Sequence, residues 1–163
     1  SINPLYNESV YTGKTHCGFT LVEILIVVIL LGILSSIAVG MFGDSATETR
    51  CVAYATTVKQ FHRMLNVVRV KNGGAYPPDQ YPGETPLGAE PYIHASDWAS
   101  PTPLGGTWDW EYGDFGITAG IGVVKPDADD EIMTTVDSIL DNGNLSSGHF
   151  RKISGRYIYV LQE

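Results

Sequence analysis

Apolar positions crowd into one part of the chain and then spread out in two different rhythms. From Phe19 to Phe42 there are 24 residues with one charge among them, Glu23. As an α-helix this run reaches roughly 36 Å, enough to cross a hydrocarbon layer of about 30 Å. Beyond it, Cys51, Ala55, Val58, Phe61, Leu65 and Val68 recur at spacings of four, three, three, four and three, the rhythm of a single buried helix face. Arg50, Thr57, Lys59, Gln60, Arg63 and Asn66 fall mainly between them. No proline occurs between Pro4 and Pro77, so one helix is predicted over Phe19 to Asn72, apolar on all sides in its first half and amphipathic in its second. Asn72-Gly73-Gly74 supplies its end, with Lys71 well placed at the C-terminal dipole.

The remaining segments read differently. Ser1 to Gly18 is a polar piece whose only firm positive charge is Lys14, and Ser1 in place of a start methionine suggests an altered or incomplete beginning. Seven of the nine prolines lie between Pro77 and Pro103, so Gly73 to Gly106 is expected to be a long irregular connection that is either functional or packed onto its own domain. Thr107 to Tyr112 alternates, with Trp108, Trp110 and Tyr112 on an inner face and Asp109 and Glu111 on the other, as in a half-buried strand. Phe115 to Val124 is a glycine-rich strand candidate, its Gly116, Gly120 and Gly122 reading as close backbone packing and not as a dinucleotide fingerprint. Asp127 or Asp129 is placed to cap a helix running to about Leu140, with Ile132, Met133, Val136, Ile139 and Leu140 inward. His149 to Ser154 and Tyr157 to Leu161 read as a hairpin turning at Gly155-Arg156.

Charge sharpens this division. Asp44 to Lys71 carries five basic residues against two acidic, whereas Gly73 to Gly148 carries thirteen acidic residues against Lys125 alone. So acidic a body makes nucleic acid an unsuitable partner. A basic stem joined to an acidic head suits subunits stacking stem against head, though solvated surfaces of mixed sign account for the same counts. Cys17 and Cys51 flank the apolar run, about 50 Å apart on a continuous helix, so no disulfide is expected. His16, His62, His94 and His149 share no ligand spacing, and no catalytic triad, nucleophile elbow or phosphate loop is present. No enzyme activity is expected.

The start of the apolar run is the most specific feature. Gly18-Phe19-Thr20-Leu21-Val22-Glu23, followed by Ile24 to Val39, resembles the processing signal of type IV prepilins and type II secretion pseudopilins. The resemblance implies that a membrane-embedded prepilin peptidase cuts between Gly18 and Phe19 and methylates the new Phe19 amine. It implies an α+β pilin-like fold: a long N-terminal helix, half transmembrane and half amphipathic, packed on a small antiparallel sheet with one additional helix. The expected divisions are a leader over 1–18, a membrane or filament-core helix over 19–42, the amphipathic stem over 43–72 and a soluble head over 73–163. The partners implied are further pilin-like subunits, the peptidase, an inner-membrane assembly platform and, before assembly, the bacterial inner membrane, with the head outside the cytoplasm and the product a periplasmic or surface filament.

Glu23 agrees with this on physical grounds. An acidic side chain at the centre of a membrane helix costs about 2.5 to 3.5 kcal/mol, less near an end, and such residues are usually paired. The partner in a bundle is the amino terminus of Phe19 on a neighbouring subunit. A carboxylate favouring its own helix dipole is the local alternative. Major pseudopilins hold calcium in a C-terminal loop, which makes Asp127, Asp129 and Asp130 candidate ligands, although acids ahead of a helix are favourable by themselves. Two rivals use the same span: an ordinary secretory signal cleaved after Ser36-Ile37-Ala38, and a single-span anchor for a binding or sensor module with an acidic extracytoplasmic head.

Overall fold

A computed structural model describes residues 18–163, with the side chains of 39–44 left aside. The leader expected over 1–18 lies outside the described residues except for Gly18, as do His16 and Cys17. Two compact units are present, one ending at Met41 and the other spanning Phe42–Glu163. Helix α1 runs over Leu21–Lys71.

In the larger unit, the amphipathic part of α1 forms because nothing interrupts it and because its stripe has a surface to bury. Cys51, Ala55, Val58, Phe61, Leu65 and Val68 are all buried, joined by Tyr54. Each large side chain so buried contributes about 1.5–3 kcal/mol. The helix ends in a Schellman arrangement. Gly74 N donates to Arg69 O at 2.8 Å and Gly73 N to Val70 O at 3.3 Å, and Gly73 adopts φ 70°, the left-handed conformation that only glycine takes without a steric cost.

Four antiparallel strands cover that stripe: β1 Thr107–Tyr112, β2 Ala119–Val124, β3 Phe150–Ile153 and β4 Arg156–Gln162, in the order β1-β2-β4-β3. The register sets Trp108 opposite Val123 and Trp110 opposite Ile121, and then Ile121 opposite Tyr159 and Val123 opposite Tyr157. With Phe150, these side chains form the inner face and complete one apolar cluster with α1. A second, smaller cluster of Ile117, Ile158 and Val160 lies apart from it.

The additional helix expected is present, and among the described residues a second, short one joins it. Helix α2, Ala95–Ala99, sits inside the proline-rich connection and buries Trp98. Five residues are too few to set up a periodicity, and the flanking prolines suggest irregular chain. The connection itself is packed onto its own domain. Trp98 lies 4.8 Å from Phe61 and Tyr76 lies 5.6 Å from Trp110, ring to ring, while Trp110 Nε1 donates to Pro77 O at 3.1 Å and Arg50 Nε to Pro103 O at 2.7 Å.

Helix α3, Asp130–Leu140, starts at Asp129, whose Oδ1 accepts from Ile132 N at 3.0 Å. Met133 and Val136 are buried, and Ile132, Ile139 and Leu140 are half-buried. Asp129→Ala is expected to lower head stability by about 1 kcal/mol, read as a shifted urea midpoint with unchanged slope. No shift would mean that water replaces the cap.

Three local expectations need correcting. The second strand begins at Ala119, because Phe115 has φ 55° and belongs to the turn before it. The closing hairpin turns at Ser154-Gly155, both with positive φ, and Arg156 already opens β4. Strand β1 is not half-buried: Asp109 and Glu111 are each 3% exposed. Arg156 reaches over them from β4, and the loop bearing Asp79 borders the same face.

Candidate functional site: the start of helix α1

Gly18 and Phe19 precede α1 and are exposed, Phe19 to 80%. Thr20 is the first residue that the helix claims. Its Oγ1 accepts from Glu23 N at 3.2 Å, while Glu23 Oε2 accepts from Thr20 N and from Thr20 Oγ1, both at 2.9 Å. This is a capping box, in which two otherwise orphaned donors at the helix start satisfy each other's segment reciprocally. The arrangement holds Glu23 within the first turn. Its other oxygen, Oε1, accepts from nothing among the described residues.

From Ile24 to Leu34 the helix carries no polar side chain. Leu21–Ala38, 18 residues, is long and apolar enough to cross a membrane, and none of it is buried. Val22, Ile24, Leu25, Ile26, Val27, Val28, Ile29, Leu30 and Leu31 are exposed around the whole circumference. A surface of that kind requires lipid or other helices around it.

The remaining residues singled out in the sequence lie in the Phe42–Glu163 unit. Asp127 is exposed, and its N–H donates to Leu104 O at 2.9 Å. Asp129 is occupied as the α3 cap. Asp130 binds Lys152 Nζ at 2.6 and 2.9 Å and accepts from Tyr157 Oη. Those two partners, Lys152 first, hold its carboxyl below the usual range. His62 and His149, far apart in sequence, both lie against the ring of Tyr159. Burial, then the neighbouring His149, lowers the proton affinity of His62. Trp108 and Trp110 are core residues, 1% and 0% exposed.

Sequence reasoning missed two things. Thr20 figures in the sequence only as part of the processing signal, although Thr20-Leu21-Val22-Glu23 has the spacing of a capping box and so could have been found. The set of Asp109, Glu111 and Arg156 had no local signal, since two acids at alternate positions read as a solvent-facing strand side.

The family description "Prokaryotic N-terminal methylation motif" matches residues 13–39. This is the signature of type IV pilins and pseudopilins, a structural and non-enzymatic class, and it coincides with the capped, fully exposed apolar helix start. No curated protein and no solved structure matches the chain. The chain therefore combines a pilin-type N-terminal signature with an α+β head.

Proposed function

We propose that the chain is a structural subunit of a type IV pilus or type II secretion pseudopilus. Prepilin peptidase cuts after Gly18 and methylates Phe19. The mature subunit waits in the bacterial inner membrane through 19–42, with its stem over 43–72 and head over 73–163 on the outer side. An assembly platform then withdraws it into a helical polymer with other pilin-like subunits, and its role is mechanical, without catalysis.

The observation that carries this reading is the sequence Gly18-Phe19-Thr20-Leu21-Val22-Glu23 set directly ahead of an unburied apolar helix. The capping box supports a refinement. Cleavage before Phe19 leaves the Thr20 amide intact, so Glu23 Oε2 keeps its donors. Oε1 remains to receive the Phe19 amine of a neighbour. That pairing neutralises two charges inside an apolar bundle and sets the axial offset between subunits.

Mass spectrometry of protein taken from peptidase-positive cells tests the reading. The expected N-terminal peptide begins with methylated Phe19. An intact leader, or an unmodified start near Val39, overturns it.

A further inference from the structure

The outer face of the sheet carries a concentration of charge that core formation does not require. Asp109 and Glu111 of β1 accept from the same atom, Arg156 Nη1 of β4, at 2.6 and 2.7 Å. These strands are not neighbours, because β2 lies between them. The side chains meet above Gly122, where a Cβ would come within 3.3 Å of Glu111 Oε1. The 77–84 loop adds Asp79 and the 113–118 turn adds Asp114; β2 adds no charge. Oxygens of Asp79, Glu111 and Asp114 all lie within 4.8 Å of one another. Two carboxylates removed from water thus share one guanidinium, and the exposed Asp79 and Asp114 crowd Glu111 from the side. One cation cannot balance that set fully ionised, so a proton is the natural addition.

Asp79 has a second attachment. Its Oδ1 accepts from Tyr112 N at 3.1 Å, and a few residues on, Gly83 N donates to Trp108 O at 2.8 Å. These contacts lay the loop along the open edge of β1, the strand that ends the sheet on that side. An uncovered edge presents free N–H and C=O groups, a template for pairing with another chain.

We propose that Asp109, Glu111 and Arg156 form a proton-operated latch on this edge. With one proton shared between the two buried carboxyls, Asp79 stays on the Tyr112 amide and the loop covers β1. With both carboxyls ionised, repulsion drives Asp79 outward and uncovers the strand. Burial, and then the charge of Asp109, push Glu111 up to about 7, and burial raises Asp109 as well. Asp79 on the closed loop adds to the rise at Asp109, so closure over this pair is favoured at low pH and weakens as pH rises through about 7. The latch stands apart from the filament reading and holds whether or not the chain polymerises.

Amide hydrogen exchange on the full chain in detergent micelles tests this, with each rate divided by its intrinsic value at the same pH. Between about pH 5.5 and pH 8.5, protection at Tyr112 and Gly83 is expected to fall about tenfold or more, since a shift of one unit in proton affinity is a tenfold change. Protection at Ile121 in the central β2 should hold steady. Asp79→Asn keeps an oxygen for the Tyr112 amide but carries no charge, and Glu111→Gln mimics the protonated carboxyl. Both variants should remain protected at Tyr112 across the range. A flat wild-type profile, or an equal fall in both variants, overturns the latch.

Discussion

Cells whose only copy of this chain carries Glu23→Gln are expected to make at least about tenfold fewer filaments, even though the helix start is preserved. The tenfold figure corresponds to 1.4 kcal/mol, and breaking a buried ion pair costs about 3–5 kcal/mol. Glutamine retains an oxygen that can accept from Thr20 N and Oγ1, so the capping box survives. It lacks the charge that would meet the Phe19 amine. Glu23→Ala removes both functions and should assemble no better, with some fraying of the first turn in addition. Electron microscopy of sheared fibres gives the count, and mass spectrometry of the Phe19 end confirms that processing is unaffected. Normal fibres from Glu23→Gln would leave Glu23 with capping as its only role and would remove charge pairing from the account.

Trp108→Ala is expected to cost the head about 3–5 kcal/mol, the range for deleting a large buried aromatic. Trp108 is 1% exposed. It stacks on Tyr54 at 5.0 Å, meets Phe61 edge-on at 5.3 Å and lies 6.5 Å from Trp98. Removing it opens a cavity where α1, α2 and β1 meet, and rigid rings on three sides cannot collapse into the space. Since a domain of this size has about 5–15 kcal/mol in total, the variant should be marginal. Urea unfolding read by the emission of Trp98 and Trp110 measures the effect. Leu87→Ala, at a position 58% exposed, serves as the control and should stay within about 0.5 kcal/mol. A loss below about 1 kcal/mol for Trp108→Ala would mean that the aromatic cluster repacks freely.

Processes confined to one helix were open to reading from the chain alone. The stripe from Cys51 to Val68 was legible because a helix returns the same face every three to four residues, and burial of that face needs no knowledge of what covers it. The stop at Asn72-Gly73-Gly74 was legible because the left-handed position has a strong residue preference. The Thr20–Glu23 cap is written at the same short range, in the spacing of its two residues. The α3 cap, offered by the chain as Asp127 or Asp129, and the burial of Trp108 and Trp110 rest on equally local rules, and the structure takes Asp129.

Where the chain failed as a guide, the deciding contacts come from far away in sequence. Asp109 and Glu111 look like a solvent face until Arg156, 47 and 45 residues on, is laid across them. The proline-rich segment looks shapeless until Phe61 gives Trp98 something to pack on. Local rhythm thus marks out the amphipathic part of α1 and its end, because each residue there answers to neighbours within a turn. The buried charges and the covered strand edge exist only once β4 and the 77–84 loop meet β1, since desolvation and charge crowding depend on distance in space and leave no trace in spacing along the chain.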